Sequence, residues 1–150
     1  MTPAQYNEYQ RQADVIEQNE KRKAEKQKTV MNKEFIPYEQ ALALKELGFN
    51  EPCLGFYRIF SDGDIELLIN SNSNMRHLEA PTFLQAFRFF RKKYKLSGTP
   101  QYFTGGYYCY TINDMKDTEK SNRLFTEFES YEEAEIACLE KLIEIVKSKI

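Results

Sequence analysis

Apolar positions are sparse in the first thirty residues and dense after Phe35, so the chain divides by pattern before any motif is sought. From Ala4 to Ile36 there is no Gly or Pro, and Ala, Glu, Gln, Lys and Arg dominate, which predicts one long helix. Its apolar face is thin. Tyr6, Tyr9, Ala13 and Ile16 follow a 3,4,3 spacing, but Glu20 and Lys23 take the next positions, so the seam stops after about two heptads. Residues 1–32 therefore read as a polar helical arm that cannot bury itself. Three readings stay open: a solvated arm, a segment ordered against a partner or a second copy (a homodimer through this helix), and a frayed leader.

Residues 33–150 carry the patterning of a globular domain. Pro37 opens a helix whose face is Ala41, Leu42 and Leu47, and Gly48 is placed to end it in the left-handed conformation. GFYRIF (55–60) and IELLIN (65–70) flank Ser61, Asp62, Gly63 and Asp64, which predicts a β-hairpin. NSNSN (70–74) reads as loop, and Pro81 with Thr82 opens a helix that should end near Leu96, at Ser97 and Gly98. YYCYTI (107–112) and LFTEF (124–128) read as strands, and Ser130 with Glu133 forms a capping box for a helix running to about Lys147. The resulting fold class is α+β: a small antiparallel sheet of about three or four strands with helices packed on one face, preceded by the long polar helix.

Charge sharpens this picture, although the net value of -2 conceals it. Residues 34–79 carry 3 basic and 8 acidic groups, residues 80–113 carry 5 basic and none acidic, and residues 114–150 carry 6 basic and 10 acidic. A local patch, not net charge, would steer a charged partner. The three cysteines are far apart and lack zinc-knuckle or redox spacing, so they read as reduced fillers. No apolar run reaches transmembrane length and the first residues lack a signal pattern, so a cytoplasmic protein without membrane contact is expected.

The acid-free block begins with APTFLQAFRFFRKKYKLSG (80–98). At about 100° per residue, Phe83, Phe87, Phe90 and Tyr94 share one face and should be core. Arg88, Arg91, Lys92, Lys93 and Lys95 then lie on the flank and back, where solvation is the simplest role. Phe89 falls off the core arc among cations, so it should seek a partner: the last helix or the N-terminal arm, a base, or a pocket on another protein. Tyr102, Phe103, Tyr107, Tyr108 and Tyr110 extend the block with more rings, and cations with rings are how single-stranded RNA is gripped. Strand alternation requires one of the sets Tyr108/Tyr110 or Tyr107/Cys109 to be structural. The candidate nucleic-acid or partner-binding residues are Arg88, Phe89, Arg91, Lys92, Lys93, Lys95, Tyr102 and Tyr107.

Nothing points to catalysis. His77 is the one histidine, beside Arg76, and no second proton donor or nucleophile joins it at a recognisable spacing. Asp62 and Asp64 read as turn formers, and Gly105–Gly106 lacks a phosphate-loop context. Neither an enzyme, a metal nor a cofactor is expected.

Three segments, IPYEQALALKELGFNEPCLGFY (36–57), APTFLQAFRFFRKKYKLSG (80–98) and FESYEEAEIACLEKLIEIVK (128–147), together resemble a family of short phage and prophage proteins over residues 33–148. In that setting the chain looks like an anti-CRISPR inhibitor of the type VI-B effector, an RNA-guided RNase. The resemblance implies a cytoplasmic protein of the host bacterial cell that blocks the nuclease by binding it or its guide RNA, with no cofactor. It transfers no site residues. The alternatives are an RNA- or DNA-binding phage accessory protein, or an assembly protein acting through the N-terminal helix. The working surface is likewise open, because Glu127, Glu129, Glu132, Glu133 and Glu135 could imitate RNA in a basic channel.

Overall fold

The computed structural model describes residues 1–69, 78–119 and 121–150, with the side chains of 25–31 and 121–126 outside the description. The NSNSN loop, Arg76 and His77 lie outside the described residues. The chain divides into two compact units, Met1–Glu34 and Phe35–Ile150.

The first unit is one helix, α1 (Pro3–Asn32), of 30 residues. Its start is built locally. The Gln5 N–H donates to Thr2 Oγ1 at 3.3 Å, and the Thr2 N–H donates to Gln5 Oε1 at 2.9 Å. This reciprocal capping box has Pro3 at the first helical position, where its missing N–H is no loss.

Among the described residues the second unit is α+β, with two antiparallel three-stranded sheets. Helix α2 (Tyr38–Glu46) follows Pro37 and ends through Leu47 and Gly48, whose φ of +94° is the left-handed stop that the sequence suggested. It buries Ala41 and Leu44, whereas Leu42 is exposed. The expected hairpin forms from β1 (Gly55–Ile59) and β2 (Ile65–Ile69), with Gly55 opposite Ile69 and Ile59 opposite Ile65. A short β3 (Leu78–Ala80) pairs on the other side of β1, giving the order β2-β1-β3. Three residues are too few to announce a strand in sequence.

Helix α3 (Phe83–Phe89) opens on a capping box between Thr82 and Gln85 and then widens into a π-helical turn (Phe90–Tyr94). Lys95, at φ +58°, stops it in the left-handed conformation, and β4 (Leu96–Phe103) begins at once. The expected helix end at Ser97 and Gly98 is thus a strand. Pro100 did not prevent this, because β4 is the edge of the order β4-β5-β6, where a missing N–H is tolerated. Strand β5 (Tyr107–Asp114) pairs with β4 in full register, from Leu96 opposite Asp114 to Phe103 opposite Tyr107. Strand β6 (Ser121–Phe128) pairs with β5 across an irregularity between Tyr108 and Tyr110.

Helix α4 (Tyr131–Ser148) covers this second sheet. Its N-cap Ser130 accepts from the Glu133 N–H at 3.2 Å, as the sequence suggested. Ala134, Cys138, Leu139, Leu142, Ile143 and Val146 form its buried face. Burial pushes the Cys138 thiol up to about 12, so this cysteine is an inert filler. Gly98 lets helix and sheet meet closely, since a Cβ there would lie 2.7 Å from Cys138 Sγ and 2.9 Å from Leu142 Cδ1.

Tyr57 ties the first sheet to the segment before α2. Its hydroxyl donates to the Ile36 carbonyl at 2.5 Å, and burial raises its pKa to about 12. Tyr57→Phe should therefore cost about 1–2 kcal/mol, the net loss of a buried hydrogen bond, read as a lower denaturant midpoint with an unchanged slope.

Candidate interaction surface

The acid-free block does not fold into one cation-and-ring surface. Phe89 is buried at 6% exposure and meets Phe49, Phe90 and Tyr94 edge-to-face at 5.5, 5.5 and 5.7 Å. It lies in the α-helical part, Phe83–Phe89, so it does point off the arc of Phe83 and Phe87, and it is buried because Phe49, after α2, packs against that side. Phe89 and Phe90 are thus both core, reached from two sides of the helix.

The cations around it are partly committed to the fold. Lys93 Nζ donates to the Leu47 carbonyl at 2.7 Å and lies over the Phe89 and Tyr94 rings at 5.6 and 5.4 Å. An ammonium at the carbonyl end of α2 meets the negative pole of the helix, and the Tyr94 hydroxyl donates to the same carbonyl at 2.8 Å. Arg88 pairs with Glu51 at 3.4 Å. Lys95 holds the left-handed turn, and its carbonyl accepts from the Met115 N–H at 2.8 Å. Lys92 and Lys95 have exposed side chains and Arg91 is half-buried.

Tyr102 and Tyr107 sit elsewhere. Seven residue steps lead from Lys95 to Tyr102, which at about 3.4 Å each places them roughly 24 Å apart along β4. The two tyrosines also face opposite sides of the hairpin. Tyr107 stacks on Phe103 at 5.5 Å, whereas Tyr102 meets Tyr108 edge-to-face at 5.5 Å. The sequence offered a choice of one buried set in β5, but one member of each is buried: Cys109 and Tyr110. The register shift beside Tyr110 and the end of α4 leave Tyr107 and Tyr108 half-exposed.

The sheet's far end assembles a surface that no linear segment contains. Tyr108 meets Tyr131, the first residue of α4, edge-to-face at 6.2 Å, so Tyr102, Tyr108 and Tyr131 form a ladder on the helix side. Tyr102 is 62% exposed and Tyr131 is 42% exposed. Phe128 lies opposite Tyr108 in β6, flanked by the exposed Glu127 and Glu129. Glu132 and Glu133 follow Tyr131 and are exposed as well. Burial, then Glu135, Cys138 and Glu132 in turn, raise the Tyr131 phenol above its ordinary value, which sets those carboxylates electrostatically against the ladder. Residues 127–135 contain five carboxylates and no base, and residues 96–113 contain no charge at all.

This end is therefore anionic and aromatic. Stacked bases would bring their phosphates toward carboxylates, and residues 96–113 and 127–135 supply no cation to offset the repulsion. An arginine-rich surface fits instead, because guanidinium groups both stack on tyrosine faces and pair with carboxylates. The sequence carried part of this in its acidic run. Tyr131 entered no candidate set because its place beside Tyr108 depends on how α4 docks.

Among the described residues no group of three or more His, Cys, Asp or Glu side chains is arranged to hold a metal ion. No helix among them is long and apolar enough to cross a membrane. No protein-family model, curated protein or solved structure matches the chain.

Proposed function

We propose that this protein is a non-catalytic inhibitor that presents its tyrosine ladder and carboxylates to a basic surface of a partner protein. The carrying observation is the Tyr102–Tyr108–Tyr131 ladder bordered by carboxylates without a neighbouring base in sequence. The resemblance of residues 33–148 to phage and prophage proteins supplies the candidate partner, the type VI-B RNA-guided RNase of the host cell. Its guide-binding channel must be basic to hold RNA, so an anionic, aromatic surface suits it.

Direct RNA binding is the second reading, and it draws on the exposure of Lys92 and Lys95 beside Arg91. It lacks the ring it needed, since Phe89 is core. A cleavage assay separates the two. Near-stoichiometric protein should leave target RNA uncut, and Glu127→Lys with Glu132→Lys should weaken inhibition about tenfold, equivalent to about 1.4 kcal/mol. Arg91→Glu with Lys92→Glu should leave it intact. Loss in the second pair alone moves the site to the basic rim, and no inhibition by wild type sinks the nuclease reading.

A further inference from the structure

The tyrosine end can tell apart the two basic side chains that a partner might offer. Tyr102 meets Tyr108 at an interplanar angle of 72°, and Tyr108 meets Tyr131 at 85°, so each ring is held by the next. The two outer rings, Tyr102 and Tyr131, are exposed, while Tyr108 is half-buried between them. An exposed aromatic ring fixed in place is a platform, and the ligand that suits its face is a cation.

The carboxylates beside the ladder differ in what the fold already asks of them. Glu133 is committed to the start of α4, since its Oε2 accepts from the Glu129 N–H at 3.2 Å. Glu132, exposed in the first turn, follows Tyr131 directly and acts on its phenol. Glu127 is exposed three residues before the N-cap Ser130, beyond the first turn over which the helix pole acts, so helix capping does not account for its charge. Nor does the adjacent edge invite a strand, because β4 carries Pro100 along it, a residue that discourages strand addition. A partner therefore meets this end through its side chains.

Both lysine and arginine would be drawn by the carboxylates, but they would use the rings differently. An ammonium is a strongly hydrated point charge that pairs with a carboxylate and keeps its water. A guanidinium is planar and weakly hydrated, so it lies flat on a ring while the N–H groups at its edge still reach a carboxylate. We propose that this end selects arginine over lysine, with Tyr102 and Tyr131 as the specificity-determining residues and Glu127 and Glu132 as the charges that attract either. The inference rests on the reading of this end as the working surface, and it names the partner chemistry as arginine side chains stacked on tyrosine.

Fluorescence anisotropy of the full chain tests it with two labelled probes, an alternating arginine-glycine peptide and a lysine-glycine peptide of equal length. The arginine peptide should bind about fivefold more tightly. Tyr102→Leu with Tyr131→Leu should bring the arginine peptide to the lysine level and leave the lysine peptide within about twofold of its wild-type affinity. Both side chains are exposed, so the melting transition should keep its place. Glu127→Gln with Glu132→Gln should weaken both peptides alike and preserve their ratio. Equal affinity for the two peptides, a preference that survives loss of the rings, or binding of neither would overturn the proposal. The cleavage assay fails separately. Inhibition that depends on Glu127 and Glu132, with equal peptide affinities, retains the basic-surface reading and removes only the arginine preference, whereas a ring-dependent arginine preference without inhibition upholds the arginine site and removes the nuclease reading.

Discussion

Phe89→Ala is expected to lower the unfolding free energy by about 3–5 kcal/mol, the cost of removing a large buried ring and leaving a cavity. The ring is 6% exposed and touches Phe49, Phe90 and Tyr94, so two segments lose a shared neighbour: the one after α2 and the π-helical turn. Lys93 would also lose one of the two rings beneath it. Denaturant unfolding reads the effect directly. A change within about 0.5 kcal/mol, the range of a surface substitution, would restore Phe89 to the surface role that the uniform helical step assigned it. Arg91→Ala serves as the internal comparison, since its half-buried side chain should keep stability within about 1 kcal/mol.

Gly98→Val should be the second most damaging change, at about 1–3 kcal/mol, through overpacking in place of a cavity. Its Cβ would fall 2.7 Å from Cys138 Sγ, 2.9 Å from Leu142 Cδ1 and 3.3 Å from Phe87 Cε1, so α4 would have to move off the sheet. Removing the nearest obstacle should help. Cys138→Ala in the Gly98→Val background should recover part of the loss, a coupling of about 0.5–2 kcal/mol in a double-mutant cycle. Strict additivity would mean that helix and sheet are not in the close contact described. The same displacement carries Tyr131 away from Tyr108, so Gly98→Val should also weaken partner binding, whereas Tyr57→Phe should not.

The elements that the sequence made legible are those with local causes. Pro37 and Gly48 bracket α2, the Asp62-Gly63 turn joins β1 to β2, and Ser130 with Glu133 starts α4, because caps and turns are written in a few adjacent residues. The misreadings share one origin, tertiary context. Phe49, from the segment after α2, covers Phe89, an edge position admitted Pro100 to β4, and the close approach of α4 explains a Gly98 that looked like a helix stop. The candidate site followed the same rule. Its cations were visible as a block, but their use by Glu51 and the Leu47 carbonyl was not, since those partners lie 37 and 46 residues away in sequence. The acidic run was visible too, and only the docking of α4 on β5 showed that tyrosines accompany it.

Hydrogen exchange of the full chain with and without the type VI-B effector locates the working surface most directly. Protection should appear in the β4–β5 hairpin around Tyr102–Tyr108 and in the first turns of α4 around Tyr131–Glu135, and it should fade as salt is raised. Protection confined to Phe83–Lys95, or its appearance with free guide RNA alone, would contradict the assignment of binding to the tyrosine and carboxylate end.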